Sequence, residues 1–439
     1  MAPGVTFVVP VLNGGRWLRP ALASIGAQRD GRPFEIIAVD DGSTDGSLRL
    51  LKNLEREGFL KLLRGEGRGA AAAINAAVRE ATQPIVCQVD QDVILQRGWL
   101  LELLRVFQDP EVAAAQGHYI TRPGAGFWAR AMGRDLEHRY SRIRGQFVDH
   151  VCTGNTAYRT RALHQVSLLD ERLGYGYDND LSYRLNAHGY RLAFCRDAIS
   201  VHCWREGFWG YLRQQFGVGY GRLDVVARHP RRFTGDDVSG TLMMFHAPAM
   251  LVALAALLTA ALLAALDVSW APSAAIGLGL IAGLGGERAA AGVGAWRRTG
   301  DRAALAFSIT HLARDVAWAA AIITWLARWA LKRDRGPGHS MHRRARRTEP
   351  RRQLLLRVTA DIQQHTLQQV RLNLSAEDFT QRHNFAPERL RERHSFRYRS
   401  ALSRSRHGNL ERFESNSTVR LDLDNRDAKL PLQLRKVDG

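Results

Sequence analysis

The sequence predicts an α/β domain with a doubly wound, mostly parallel sheet, followed by a transmembrane or interfacial helical region and a basic tail. The first observation is that apolar runs alternate with helical stretches between residues 5 and 115, in strands such as Val5–Val11, Phe34–Asp40 and Pro84–Asp90. The second is that these runs are apolar almost throughout, as in a sheet covered by helices on both faces. The third is a sharp change of composition near residue 240. We therefore expect three regions, residues 1–235, 241–332 and 333–439.

Four segments between the strands have the apolar spacing of helices. In GGRWLRPALASIGAQ, for example, Trp17, Leu18, Leu22 and Ile25 fall on one helical face. The predicted helices are Gly14–Gln28, Gly46–Glu57, Gly69–Ala81 and Gly98–Gln108. Residues 115–240 lack a readable periodicity, and their glycine-rich and aromatic loops are typical of substrate-binding segments.

Charge and cysteine content narrow the functional classes. The 439 residues carry a formal net charge of +19, which fits nucleic acid, anionic lipid or phosphate-bearing partners. Residues 343–357 alone hold seven arginines and one glutamate, so the basic excess describes the tail more than the α/β domain. The four cysteines form no CxxC pair, which argues against a disulfide scaffold or a zinc site. The N-terminus lacks a signal-peptide pattern, and we expect the first domain to lie in the cytoplasm.

Three apolar segments follow residue 240. Thr241–Leu266 is long and apolar enough to span a bilayer, and the shorter, glycine-rich Ala271–Gly286 could return as a second span. The third, Ala303–Leu331, carries Arg314 and Asp315 near its middle, which is costly in lipid. We favour an interfacial or partly inserted third helix with its tryptophans, at 318, 325 and 329, near the headgroups. The alternative is a third span with the two charges paired inside the bundle.

The orientation of the chain follows from its positive charges. Two spans keep both the linker at 287–302 and the arginine-rich tail on the cytoplasmic side, as the positive-inside rule favours. We therefore expect a multi-pass protein of the cytoplasmic (inner) membrane. For residues 335–439 we favour a solvated, partly disordered tail at an anionic membrane face, with a small β hairpin as the alternative.

Two pairs of carboxylates follow neighbouring predicted strands. Asp40 and Asp41 close the second strand, and Asp90 and Asp92 close the third. In an open parallel sheet these ends meet at one ligand-binding crevice. A DxD pair can share Mg²⁺ or Mn²⁺ with a diphosphate, although helix capping and a solvated turn are the structural alternative. Asp41 can accept a hydrogen bond from a uracil-type base, and Asp41, Ser43 or Asp45 can cap the helix that begins near Gly46.

Five stretches together resemble the family 2 glycosyltransferases, which are inverting enzymes of the GT-A fold. They are VVPVLNGGRWLRPALASI, IIAVDDGSTDGS, VDQD, GNTAYR and YDNDLSYRLNAHGYRL, and the resemblance covers about residues 5–225. It implies a nucleotide-diphosphate sugar as donor, linked to UDP or GDP, and a Mn²⁺ or Mg²⁺ ion as cofactor.

The resemblance also assigns donor-site roles. Asp41 would contact the base, with Asp40 beside it, and Asp92 would ligate the metal, with His202 completing the metal site as in some relatives. The residues implied in nucleotide-sugar binding are Pro10, Asp40, Asp41, Arg68 and Asp90. The family often has Arg-Asn, whose arginine contacts a phosphate, where this chain has Ile74-Asn75. That phosphate contact is therefore missing here or is made by Arg68, which is why Arg68 is included.

The acceptor side depends on the late acidic motif. The family usually has Glu-Asp, a spacer, then Asp-Leu, and this chain has Tyr177-Asp178-Asn179-Asp180-Leu181. Asp178 matches the catalytic base, which takes the proton of the attacking hydroxyl. Its structural alternative is to cap the following helix. Tyr177 in the glutamate position departs from the family at the neighbouring acceptor contact. The implied acceptor-binding residues are Asn155, Tyr177 and Asp180, with loop orientation as the alternative for Asp180.

These inferences favour a membrane-attached enzyme that transfers a sugar to a lipid-linked or membrane-proximal glycan acceptor. Its expected partners are the donor, the acceptor and membrane lipids, and no nucleic acid. A processive polysaccharide synthase would carry QxxRW, and LRQQFGVGYG lacks the Arg-Trp pair. The synthase nevertheless stays an alternative, and three further functions compete with it. They are a non-catalytic membrane scaffold, a nucleotidyltransferase that uses the loop PVLNGGRW, and a nucleic-acid binder that depends on the tail.

Overall fold

The computed structural model of the chain describes residues 3–331. The predicted tail and its hairpin lie outside the described residues. Within them, eight strands form one sheet in the order β3-β2-β1-β4-β7-β6-β8-β5. The strands are β1 Val5–Val11, β2 Phe34–Asp40, β3 Lys61–Arg64, β4 Ile85–Val89, β5 Val93–Leu95, β6 Val112–Thr121, β7 Asn155–Arg159 and β8 Arg191–His202.

The sheet is parallel in its first half and mixed in its second. The strands from β3 to β4 run parallel to their neighbours, in agreement with the sequence. β7 then lies between β4 and β6 and runs antiparallel to both, β6 pairs with β8 in parallel, and β5 runs antiparallel to β8. Four of the seven strand pairs are therefore parallel. The doubly wound expectation describes the first half, and the sheet as a whole is a mixed α/β sheet.

Eleven α-helices accompany the sheet in the described residues, together with short 3₁₀ turns. In the first half they match the predicted helices to within a few residues at each end, because their buried stripes recur at helical spacing. The helices are α1 Leu18–Gly26, α2 Ser47–Arg56, α3 Ala70–Glu80, α4 Trp99–Val106, α5 Phe127–Tyr140, α6 Thr160–Gln165, α7 Tyr177–Ala187, α8 Phe208–Arg228, α9 Thr241–Ala265, α10 Ala271–Thr299 and α11 Phe307–Ala330.

The core lies between the sheet and its covering helices. All residues of β1 except Pro10 are buried, and so are the last five residues of β2. α3 packs an alanine-rich face against β1 and β2, which brings helix and sheet close together with little loss of side-chain entropy. This packing fixes the C-terminal ends of β1, β2 and β4 relative to one another, and the candidate site is built on those ends.

Of the three predicted membrane segments, α9 has the length and composition of a membrane-spanning helix. It is 25 residues long with a mean hydropathy of 2.3, and no other helix among residues 3–331 meets both criteria. α10 begins at the predicted second span but continues through Glu287, Arg288 and the pair Arg297 and Arg298 to Thr299. The expected multi-pass arrangement is therefore not supported by the described helices, of which only α9 qualifies.

α11 packs against α8, α9 and α10, and its central charges are buried. Arg314 and Asp315 pair at 2.8 Å, and His246 of α9 lies 3.0 Å from Asp315. The charges are thus paired inside a helical bundle, which was the alternative to an interfacial helix. The expected placement of its tryptophans at headgroups does not hold for Trp318, which is buried, while the half-buried Trp325 donates a hydrogen bond to Asp224 at 2.9 Å.

Candidate active site at the C-terminal edge of the sheet

The loops that follow β1 and β2 are tied to each other. Asn13, which has a positive φ of 55°, accepts a hydrogen bond from the amide of Thr44 at 2.8 Å. The amide of Gly15 donates to Asp45 at 2.8 Å, and Asp45 also accepts from the amide of Ser47 at the start of α2. The polar run after Asp41 therefore shapes the first loop, and Asp45 takes the capping role considered for Asp41.

Asp41 is buried, and each of its oxygens accepts a backbone hydrogen bond. Oδ1 accepts from the amide of Gly67 at 2.7 Å, and Oδ2 accepts from the amide of Gly69 at 2.8 Å. The segment between β3 and α3 is thereby folded over the end of β2. A carboxylate oxygen has two lone pairs, so each keeps acceptor capacity for a base.

The Asp40 side chain is 1% exposed, and both of its oxygens are bonded within the protein. Oδ1 accepts from the amide of Ser43, and Oδ2 pairs with Arg64 at 3.2 Å. These bonds do not support the expected donor contact of Asp40. Asp40 stabilises the strand end beneath Asp41.

Buried polar side chains position the DxD segment. Gln88 of β4 donates to Asp90 at 2.9 Å and accepts from the amide of Gly154. Gln91, between the two aspartates, exchanges hydrogen bonds with the backbone of Leu12 at 2.9 and 3.1 Å. The middle residue of the motif thus connects it to the loop after β1.

The second aspartate lies beside the end of β8. Val93 pairs with His202 in the sheet, and the carbonyl of Asp92 accepts from the amide of Cys203 at 2.9 Å. The His202 ring stacks on Trp204 with centroids 3.7 Å apart, and its buried Nδ1 has no hydrogen-bond partner among residues 3–331.

The electrostatics of this segment fit a divalent cation. Burial raises the pKa of Asp90 to about 6, reinforced by the charge of Asp92. Burial likewise raises the pKa of Asp92 to about 6, opposed by the positive charge of Arg205. Burial lowers the pKa of His202 to about 4, so its imidazole is neutral and able to ligate. The two carboxylates are the ligands that Mg²⁺ or Mn²⁺ prefers, and the neutral imidazole of His202 is close enough to Asp90 to affect its pKa.

Two other predicted donor residues have clear positions. Pro10 is the partly exposed residue of β1, near the crevice end of that strand. Arg68 lies in the segment that covers Asp41, but its guanidinium pairs with Glu66 at 2.8 Å and with Glu171 at 2.7 Å. A phosphate contact by Arg68 requires these pairs to open. Arg205, exposed and close enough to lower the pKa of Asp92, is better placed for it.

Asp178 lies at the second position of α7, so it is not the cap of that helix, a position held by Gly176. Its Oδ2 is 4.0 Å from Nε2 of His150, and its charge contributes to the raised pKa of Asp90. The base candidate and the DxD segment are therefore within electrostatic reach of each other. Sequence reasoning missed His150, which is 6% exposed, because no motif marks it.

A cavity of about 290 Å³ opens beside Asp178. Its walls come from α5, from the start of α7, from α8 and α11, and from the start of α9 with the residues just before it. Lining residues include Tyr177, His150 and Cys152 near Asp178, and Trp318 on α11. Ligand atoms of His150, Cys152 and Asp178 lie within 4.8 Å of one another, but a thiol and an imidazole suit softer metals than Mg²⁺ or Mn²⁺.

Two of the predicted acceptor contacts are buried in the protein. Asn155 is 0% exposed and accepts from Nε1 of Trp99 at 2.6 Å. Asp180 is 4% exposed and bonds Arg184 at 2.8 Å and His229 at 2.9 Å. Neither side chain lines the cavity, so the structure does not support those two acceptor contacts, and the bonds of Asp180 favour the orienting role that was its alternative.

Comparisons with known proteins extend this description. A family model described as Glycosyl transferase family 2 matches residues 6–167. The pre-mycofactocin glycosyltransferase of Mycobacterium tuberculosis is 28% identical over 253 residues, which cover 55% of this chain and 51% of that protein. The N-acetylglucosaminyltransferase of Rhizobium sp. (strain N33) is 28% identical over 233 residues, covering 48% and 51%. The chain spans about half the length of these two relatives.

A solved structure and a shorter relative complete the comparison. The mannosyltransferase PcManGT from Pyrobaculum calidifontis, solved with GDP-Man and Mn²⁺, is 20% identical, covers 74% of this chain and 88% of its own, and gives a TM-score of 0.48. An N-acetylglucosaminyltransferase of Bradyrhizobium elkanii is 32% identical over 124 residues, which cover 27% of this chain and 67% of that protein. With the family match, the similarity to this last relative shows that the chain belongs to glycosyltransferase family 2.

Proposed function

We propose that the protein transfers a sugar from a nucleotide-diphosphate donor to an acceptor hydroxyl, with inversion and with a divalent cation. The observation that carries the proposal is that Asp41 follows β2 while Asp90 and Asp92 follow β4, the two strands on either side of β1, with Asp178 within electrostatic reach of Asp90. Carboxylates in these positions serve two different tasks, holding the donor and activating the acceptor.

The donor is bound at the edge formed by β1, β2 and β4. Asp41 accepts a hydrogen bond from the nucleotide base with its remaining lone pairs, while Pro10 borders the crevice. Asp92 and His202 hold the cation, with Asp90 beside them. The cation, when bound, neutralises charge on the departing diphosphate. Arg205 supplies a further positive charge to the same diphosphate.

Asp178 acts as the general base. Its carboxylate lies at the cavity and takes the proton from the acceptor hydroxyl as that oxygen attacks the anomeric carbon. One carboxylate is sufficient for an inverting transfer, because departure of the diphosphate needs no protonation by a second one. Tyr177 lies next to it and borders the acceptor.

The acceptor is lipid-linked or lies near a membrane. The support is α9, which is long and apolar enough to cross a bilayer and leaves residues such as Leu258 and Leu262 exposed. Such an exposed apolar surface is uncommon on soluble monomers. On this proposal the enzyme is attached to the cytoplasmic membrane with its α/β domain in the cytoplasm. Because matched relatives are named N-acetylglucosaminyltransferases, UDP-N-acetylglucosamine is the first donor to test, before GDP-linked sugars.

The test is nucleotide release from a panel of UDP- and GDP-sugars by the solubilised full-length protein with Mn²⁺. We expect one donor to be consumed in a reaction that depends on Mn²⁺, and Asp92→Asn to abolish that turnover. Asp197→Asn, at an exposed position of β8, is the control and should leave turnover unchanged. Binding of UDP or GDP without turnover of any donor would favour the non-catalytic scaffold. If the protein neither bound nor consumed any nucleotide, the donor site proposed for Asp41 and Asp92 would be wrong.

A further inference from the structure

The side chains that line the cavity beside Asp178 indicate which kind of acceptor it binds. It is closed on one side by the segment before α7 and on the other by α8 and α11. Aromatic side chains line it from both sides, among them Tyr175, Trp204 and Trp318. Apolar side chains such as Met132 and Met243 also line it. A pocket of this kind combines apolar contact with a few polar groups that fix orientation.

Several lining residues carry buried polar atoms that lack a hydrogen-bond partner among residues 3–331. We leave aside the histidine nitrogens, which can be donor or acceptor, and the atoms of Asp135 and Arg139, which take part in ion pairs. Of the remaining atoms, four can only donate a hydrogen bond and one can only accept. The donors are Nε1 of Trp204 and Trp318, Nε of Arg222 and Nη1 of Arg314, and the acceptor is Oε1 of Gln214. Buried groups without partners are costly, and an oxygen-rich ligand that reaches them would remove that cost.

The charges of the wall are already balanced. Arg139 pairs with Asp135 at 3.0 Å, Arg222 pairs with Asp236 at 3.0 Å, and Arg314 pairs with Asp315 at 2.8 Å. Each arginine of the wall thus has a carboxylate partner, and His150 lies 4.0 Å from the carboxylate of Asp178, so no cation is left over to neutralise a full negative charge on a ligand. A phosphate oxygen, moreover, needs no base in order to attack.

On the proposed function, we infer that the cavity binds a neutral sugar residue, so that the enzyme extends an existing glycan rather than glycosylating a lipid phosphate. The sugar ring packs on the aromatic side chains, and its oxygens accept from the indole and guanidinium N–H groups. Oε1 of Gln214 accepts a hydrogen bond from one of the sugar's hydroxyls. Its reacting hydroxyl lies against Asp178, transfers its proton there and forms the new bond to the anomeric carbon while the nucleotide diphosphate departs. Trp318 and Gln214, on the C-terminal helices, determine acceptor specificity.

The experiment compares two kinds of acceptor with the full-length enzyme, Mn²⁺ and its donor. The neutral probes are octyl β-glucoside, octyl β-N-acetylglucosaminide and octyl mannoside, and the anionic probe is dodecyl phosphate. The protein is kept in lauryldimethylamine oxide, because maltoside detergents themselves present neutral sugars. We expect transfer to at least one glycoside and none to the phosphate. Transfer to dodecyl phosphate alone, or donor binding with transfer to no probe, would overturn the inference.

Two substitutions test the wall itself. Trp318→Phe keeps an aromatic ring but removes the N–H, and Gln214→Met removes the acceptor oxygen at similar size. Each should raise the KM for the glycoside about tenfold, the effect of one hydrogen bond, while the KM for the donor is unchanged. Trp329→Phe, at an exposed position of α11, is the matched control and should leave both constants unchanged.

The outcomes separate this inference from the proposed function. If the KM for the glycoside is unchanged in both variants, Trp318 and Gln214 do not contact the acceptor, and the inference is overturned. The proposed sugar transfer would still stand. Failure of the wild-type protein to bind any nucleotide or nucleotide sugar would contradict the proposed function, and the inference with it.

Discussion

At the scale of single residues, the site depends on side chains that hold the aspartates rather than on the aspartates alone. Gln88 and the backbone of Gly154 fix Asp90, and the glycines at 67 and 69 fix Asp41. The acidic residues follow from the sequence, because strand ends and DxD spacing mark them. Their supports do not, because Gln88 and Gly154 are 66 residues apart and meet only through the pairing of β4 with β7.

Gly154 provides a sharp test of this arrangement. Its φ is +92°, and an added Cβ would collide with Oδ2 of Asp90. We expect Gly154→Ala to lower the free energy of unfolding by about 1–3 kcal/mol, the cost of a residue held in an unfavourable backbone conformation. Mn²⁺-dependent turnover should fall more steeply, because Asp90 is displaced.

Thermal unfolding and an Mn²⁺ titration measure the two effects. Gly210→Ala in α8 is the control, since nothing lies within 4 Å of its added Cβ. Equal behaviour of the two variants would contradict the role given to Gly154.

His150 gives a second prediction at this scale. Burial lowers its pKa, but the neighbouring Cys152 and the interaction with Asp178 outweigh burial and hold the pKa of His150 well above 6.5. A raised histidine pKa contributes stability that is complete below the unfolded-state value and is lost as the pH rises through the folded-state value. We therefore expect His150→Gln to destabilise the protein most at pH 6, with an effect that shrinks as the pH rises above 6.5.

The measurement is the difference in unfolding free energy between wild type and His150→Gln from pH 6 to pH 9. His188→Gln, on the exposed end of α7, is the control and should give no such trend. A difference that is constant with pH, or grows as the pH rises, would show that His150 is neutral in the folded protein.

At the scale of elements, the ion pair of α11 connects the C-terminal helices. Asp315 is 0% exposed and contacts both Arg314 and His246 of α9. Removing one partner of a buried pair leaves the other charge unpaired, which typically costs about 3–5 kcal/mol. We expect Asp315→Asn to lower the unfolding free energy by about that amount.

Denaturant unfolding in detergent measures this loss. Asp267→Asn, at the exposed turn between α9 and α10 with a φ of 55°, is the control and should be neutral. A neutral Asp315→Asn would mean that water, and not Asp315, stabilises Arg314.

The elements also show how far sequence reasoning reaches. β1, β2 and β4 and the helices between them follow from local patterns, since each has its own period and its own turn residues. The half of the sheet beyond β4 does not, because β7 enters antiparallel and its neighbours come from distant parts of the chain. For the same reason GNTAYR is a motif whose Asn155 lies in the core, on Trp99, and not at the acceptor.

At the scale of the whole molecule, the exposed face of α9 predicts attachment to a membrane. Leu258 is 64% exposed and Leu262 is 58% exposed. A charged residue at the centre of a membrane helix costs roughly 2.5–3.5 kcal/mol on insertion scales. On cell fractionation, we expect the double variant Leu258→Glu, Leu262→Glu to be lost from the membrane fraction and to appear in the soluble fraction.

Leu101→Glu, on α4 of the α/β domain, is the matched control, and should stay with the membrane. Retention of the double variant in the membrane fraction would assign attachment to another part of the chain.

The most direct test of the central claim is the effect of Asp178→Asn on the kcat of sugar transfer, measured beside the dissociation constant for the nucleotide. The account predicts that kcat falls by about 10²–10⁴, the range of general-base catalysis, because the acceptor hydroxyl keeps its proton. Nucleotide affinity should stay at the wild-type value, because Asp41 and Asp92 hold the donor. An unchanged kcat, or a loss of nucleotide affinity that accounts for the whole defect, would contradict the assignment of Asp178 as the base.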